Sequence, residues 1–136
     1  MEQLLDQTAT TYSYTTLTNM KGEMIKTVLE DVADNLFNID PYYQQGGDMV
    51  RVGGMTYSIN PLAKIGSRIQ DMRLNGKPID AGRSYKVAGW APVSEGSKGE
   101  PVWDVVATWL KDKKTITPVK PNIPKIIGIQ NNLGMI

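Results

Sequence analysis

The chain contains neither cysteine nor histidine among its 136 residues. That double absence excludes disulfides, thiol nucleophiles, imidazole acid–base pairs and the usual zinc and copper ligand sets. Chemistry performed by this chain alone is not expected, and no residue is assigned a catalytic role. Carboxylates can hold magnesium or calcium, but the acidic residues are scattered, with no Asp-x-Asp-x-Asp run or comparable oxygen cage, so no metal site is expected either. Long apolar runs are also missing. No stretch reaches the length needed to span a bilayer, and residues 1–10 lack the basic start and apolar centre of a signal peptide. Neither absence fixes a compartment, because a chain beginning in mid-domain would have lost its parent's targeting segment.

What is present suits one domain covering residues 1–136, since a 40% hydrophobic content can build a core without disulfides or metals. Net charge is +1 but unevenly spread: residues 111–136 carry five lysines against Asp112 alone. Such a basic end can meet an acidic partner, although lysines closing a helix complement its dipole and explain the pattern more simply.

The densest chemistry lies in residues 41–54, PYYQQGGDMVRVGG, with two tyrosines, two glutamines, two glycine pairs, Asp48 and Arg51. Glycine pairs allow left-handed backbone and close approach, while the aromatic and amide groups exceed what a structural turn requires. The block reads as a recognition loop leading into a strand. A second loop, residues 90–103, WAPVSEGSKGEPVW, is the other candidate surface.

Element order predicts an α+β fold, with a mixed or antiparallel twisted sheet and two main helices. Residues 2–7 give a helical turn, and the threonine- and tyrosine-rich residues 10–18 give a strand. Met24, Ile25, Val28, Leu29, Val32, Ala33 and Leu36 then form one broad helical face, with Lys26, Glu30, Asp31 and Asp34 opposite. Pro41 forbids helix beyond Asp40. Residues 49–59 alternate as a strand, with Val50, Val52, Tyr57 and Ile59 inward and Gly53-Gly54 suggesting a bulge or close approach by another backbone. Residues 68–74 form another strand, Asn75-Gly76 a type I′ hairpin, and Tyr85, Val87 and Gly89 a further strand. Pro101 opens a helix striped by Val102, Val105, Val106, Trp109 and Leu110. Prolines at 118, 121 and 124 keep the chain extended before residues 126–129 close the sheet at an edge. Trp103 and Trp109 read as core.

The succession VLEDVADNLF, PYYQQGGDMVRVGG, RLNGKPI, YKVAGWAPVSEG and PVWDVVATWL resembles the C-terminal domain of the 5′-nucleotidase family, and within it the SoxB-type thiosulfohydrolases of sulfur-oxidising bacteria. The likeness runs over nearly the whole chain. It implies a missing N-terminal metallophosphoesterase domain holding two divalent metal ions, with manganese the candidate, and a periplasmic parent enzyme. The chain itself would carry no cofactor and be inert towards hydrolysis. In typical 5′-nucleotidases an aromatic pair near a Gly-Gly-Asp-Gly loop holds the nucleobase; the corresponding loop here lacks that motif, and Gly46-Gly47-Asp48 belongs to the earlier loop. The SoxB-like branch implies a different substrate, a cysteine S-thiosulfonate on the glycine-rich carrier arm of SoxYZ, with no nucleic acid or membrane partner and a monomeric state.

For such an arm, the resemblance makes Tyr42, Tyr43, Gln44, Gln45, Gly46 and Gly47 the donors and acceptors for a backbone with few side chains. Arg51 would pair with the terminal anion, Asp48 would orient Arg51, and Trp90 would wall the channel. Simpler roles stand beside these: the tyrosines capping the helix–sheet core, and Arg51 on a solvated strand face. A nucleotide-binding domain and a free-standing interaction module are the alternative functions.

Overall fold

The computed structural model describes residues 2–8, 14–89 and 99–129. In chain order the elements are α1 (Glu2–Gln7), β1 (Thr16–Lys21), α2 (Gly22–Phe37), a single 3-10 turn (Pro41–Tyr43), β2 (Met55–Ile59), β3 (Ile69–Leu74), β4 (Lys77–Pro78), β5 (Ser84–Gly89), α3 (Val102–Lys113) and β6 (Lys125–Ile126). They gather in two compact units, one from Met1–Met20 and Ser84–Val119, the other from Lys21–Arg83 and Lys120–Ile136.

In the first unit β1 pairs with β5, and α1 packs on α3. The expected strand over residues 10–18 is displaced towards β1, and residues 9–13 lie outside the described residues. Tyr14 instead bridges Pro101, and the Thr15 N–H donates to the Glu100 carbonyl at 2.9 Å. Helix α3 buries no residue fully: Val105, Trp109 and Leu110 are exposed and Trp103 is half-buried. The core role expected for Trp109 is therefore corrected. Its stripe is apolar, but the six-residue α1 that packs on α3 leaves Trp109 in solvent.

The second unit is a four-stranded sheet in the order β4-β3-β2-β6, antiparallel except for the parallel β2–β6 pair, with α2 packed on β3. Its core is Leu29 and Ala33 from α2 against Met55, Tyr57, Ile59 and Ile69 from β2 and β3. Each large apolar side chain buried there contributes about 1.5–3 kcal/mol. The predicted hairpin forms as read: Leu74 faces Lys77, and Asn75 and Gly76 take φ of 50° and 78°, as a type I′ turn demands.

Three expectations for this unit need correction. Strand β2 begins at Met55 rather than near residue 49, and Val50 is exposed rather than inward. The bulge lies not at Gly53-Gly54 but in β3, where Asp71 and Met72 together oppose Tyr57, because pairing passes from Thr56 with Arg73 to Ser58 with Gln70. Asp71 absorbs it at φ 50°, a conformation that aspartate tolerates, and two successive exposed residues in β3 follow from it. Glu30, placed on the solvated face, is buried. Its Oε2 accepts from the Gly66 and Arg68 N–H groups at 2.8 and 3.3 Å, and its Oε1 accepts from the Ile69 N–H at 2.7 Å. The glutamate thus closes the turn before β3 in place of a backbone partner.

Helix α2 starts without a side-chain cap. The Gly22 and Glu23 N–H groups donate to the Arg83 and Ala81 carbonyls, each at 3.0 Å. Only glycine fits at the start, since a Cβ on residue 22 would lie 2.2 Å from the Asp80 carbonyl oxygen.

Candidate substrate-recognition site

The block singled out in the sequence leaves α2 through Asn38-Ile39-Asp40-Pro41 and is shaped by short side-chain caps. Asn38 is already extended, and its Oδ1 accepts from the Asp40 N–H at 3.0 Å. Asp40 caps the 3-10 turn by accepting from the Tyr42 N–H at 3.0 Å, and Pro41, which has no N–H to satisfy, fills the first position. The Gln44 carboxamide donates back to the Asn38 carbonyl at 2.6 Å, and the Gly46 N–H donates to the Asn35 carbonyl at 3.1 Å. These bonds tie both ends of the turn to the end of α2.

The turn is anchored in turn by a buried group. Arg68 is 4% exposed; its guanidinium pairs with Asp34 and donates to the Phe37 carbonyl at 3.1 Å. Asp34 also accepts from the Asn38 carboxamide at 2.8 Å. The hydrogen bonds from Arg68 first, and from Asn38 second, hold the Asp34 carboxyl below the ordinary carboxylate value. Arg68, Asp34 and Asn38 thus form a relay from the core to the loop. The sequence reading missed it, although Asn-x-Asp-Pro at a helix end is a legible capping signal.

Tyr42 is 95% exposed and Tyr43 65%, with Ile39 also in solvent. The tyrosines therefore do not cap the core; they stand out as an apolar patch with hydroxyl ends, the character of a contact surface. Gln45, Gly46, Gly47 and Asp48 are exposed as well, and the two glycines take φ of 79° and 99°. Asp48 and Arg51 approach to 3.8 Å with both side chains 88% exposed, a pair worth under about 1 kcal/mol that leaves Arg51 available to an anion. Trp90 lies outside the described residues.

A cleft of about 340 Å³ begins where this loop ends, between residues 49–52 and 121–124, with Tyr57 at its base. The Tyr57 hydroxyl is buried without a hydrogen-bond partner, and burial pushes the phenol above its usual value. Asn122 Oδ1 accepts from the Gly54 N–H at 2.9 Å and joins the two walls at one end. A larger hollow of about 530 Å³ lies beside α2 and includes Lys26, Glu30, Ile65, Met72 and Ile79. The Glu30 oxygens there are already occupied by amides. Among the described residues, no group of three or more aspartates and glutamates is placed to hold a metal ion. No described helix is long and apolar enough to cross a membrane.

The model of the 5′-nucleotidase C-terminal domain matches residues 5–108, and the chain belongs to that family. Among solved structures it is similar to the sulfate thiohydrolase SoxB of Thermus thermophilus in complex with glycerol, at 35% identity over 90% of this chain and a TM-score of 0.71. A putative 5′-nucleotidase from Staphylococcus aureus in complex with alpha-ketoglutarate shares the fold at 14% identity over 93% of this chain, with a TM-score of 0.62. The chain spans about a quarter of each, 24% and 29% of their lengths. No curated protein sequence matches it.

Proposed function

We propose that the chain is the substrate-recognition domain of a SoxB-like hydrolase whose two metal ions, with manganese the candidate, are held by a separate N-terminal metallophosphoesterase domain. The parent enzyme acts in the periplasm as a monomer and releases sulfate from a cysteine S-thiosulfonate on the glycine-rich arm of SoxYZ. The observation that carries this reading is the 35% identity to SoxB over nine-tenths of the chain. The loop chemistry supports it. Tyr42, Tyr43, Gln44, Gln45, Gly46 and Gly47 offer aromatic faces, amides and bare backbone to a peptide with few side chains, and Arg51 offers a planar fork to the terminal anion. Asp48 steadies Arg51 from one side, and Trp90 is assigned to the wall of the same channel. The domain is a single functional piece that binds and orients; hydrolysis belongs to the metal-bearing half.

The nucleotide-binding alternative rests on family membership and on fold likeness to the staphylococcal protein. The two readings separate by product. With the complete reading frame expressed and loaded with metal, sulfate release from carrier-bound thiosulfonate should exceed phosphate release from AMP. Replacing Tyr42 and Tyr43 by alanine should raise KM for the carrier about tenfold with metal content unchanged, a loss of about 1.4 kcal/mol. Efficient AMP hydrolysis without sulfate release would reject the proposal.

A further inference from the structure

A helix leaves its last carbonyls without partners of its own, and the end of α2 finds them outside the helix. The Asn35 carbonyl accepts from the Gly46 N–H at 3.1 Å, the Phe37 carbonyl from the Arg68 guanidinium at 3.1 Å, and the Asn38 carbonyl from the Gln44 carboxamide at 2.6 Å. The loop therefore caps the helix, and the helix end fixes the loop. Asn38 is gripped from two sides. Its Nδ2 donates to Asp34, the partner of buried Arg68, at 2.8 Å, and its Oδ1 accepts from the Asp40 N–H at 3.0 Å.

Inside the 3-10 turn the main-chain donors are also used. The Tyr42 N–H donates to the Asp40 carboxylate at 3.0 Å, the Tyr43 N–H to the Asp40 carbonyl at 3.1 Å, and the Gln44 N–H to the Pro41 carbonyl at 3.2 Å. What the turn turns outward is thus its side chains, above all the exposed rings of Tyr42 and Tyr43. Fixing backbone costs conformational entropy, and a pair ordered before binding spares the complex that cost.

We infer that Asn38 and Gln44 are positioning residues, which hold the Tyr42–Tyr43 pair ready in the free chain: Asn38 clamps the turn to the Arg68–Asp34 pair, and Gln44 clamps it to the helix end. The Gln44 Nε2 is committed to this bond, so Gln44 acts through the tyrosines rather than by donating to a ligand. That the pair meets substrate rests on the function proposed above; that Asn38 and Gln44 hold the pair does not.

The test compares amide nitrogen relaxation in the 136-residue chain and in two near-isosteric variants. Asn38→Asp removes the donor to Asp34 and keeps the acceptor for Asp40, while Gln44→Glu removes the donor to the Asn38 carbonyl. Neither residue belongs to the core, so the amides of β2 and β3 should be unchanged. At Tyr42 and Tyr43 the order parameters should fall in both variants, from the rigid level of about 0.85 towards the flexible level below about 0.6. Binding of a glycine-rich peptide ending in a cysteine S-thiosulfonate should weaken about three- to tenfold in each. Weaker binding with unchanged order in the free chain would make the two side chains direct contacts and overturn the inference. So would wild-type affinity in spite of a loosened turn. A wild-type chain that binds AMP and not the peptide defeats the carrier reading alone; the positioning then stands if turn order and AMP affinity fall together in the two variants, and fails if they do not.

Discussion

Replacing Glu30 by glutamine changes one atom and tests the packing logic of the sheet unit. The carboxylate serves three N–H donors, two through Oε2 and Ile69 at 2.7 Å through Oε1. Glutamine retains one oxygen. Its best orientation keeps the two-donor position and sets an NH2 against the Ile69 N–H, which loses one charge-assisted bond and leaves a buried donor facing another donor. Gly66 is exposed and can turn to water; Arg68 and Ile69 are buried and cannot. The expected cost is about 2–4 kcal/mol, a large part of the 5–15 kcal/mol by which typical domains are stable. Urea unfolding followed at the amides of β2 and β3 should show a midpoint lowered by about 1–2 M with an unchanged slope. Trp103 and Trp109 belong to the other unit, so their fluorescence serves as a separate readout. A loss below about 0.5 kcal/mol, the size of an ordinary surface substitution, would refute the role given to Glu30.

Gly22→Ala should destabilise the sheet unit by about 1–3 kcal/mol, seen as a lowered urea midpoint, because the new Cβ meets the Asp80 carbonyl at 2.2 Å and main chain must move. Tyr57→Phe should leave stability unchanged or raise it by up to about 1 kcal/mol in the same assay, since it removes a buried hydroxyl that has no partner. Asp34 has a folded-state pKa below its ordinary 3.8, so its contribution is complete above that value and is lost as pH falls through the lower folded value. Acid titration should therefore loosen the amides of residues 38–44 in that window, and Arg68→Met should shift the Asp34 titration upward; an unchanged carbon-13 titration curve would contradict the relay.

The long amphipathic helix and the Asn75-Gly76 hairpin were legible in the sequence, because period and turn chemistry are local properties. What escaped was decided by partners distant in the chain. Glu30 looks solvated by helical period, yet the turn before β3 needs its oxygens. The β3 bulge carries no glycine, and it falls at Asp71 because two strands fix their register around Tyr57. The exposed loop after α2 was visible from composition, but its supports Asn38, Asp34 and Arg68 were not singled out, since each looks like an ordinary polar residue until the end of α2 meets β3. The expectation that the strand starts near residue 49 failed: β2 runs only from Met55 to Ile59.

The central claim is that the loop of residues 42–51 recognises a carrier peptide rather than a nucleotide. Parallel isothermal titrations of the chain with a glycine-rich peptide ending in a cysteine S-thiosulfonate and with AMP, repeated on the Tyr42→Ala, Tyr43→Ala and Arg51→Ala variants, test it most directly. The account predicts saturable binding of the peptide, weakened about three- to tenfold by each variant, and none of AMP. Saturable AMP binding with no peptide binding, or peptide binding indifferent to all three changes, would contradict it.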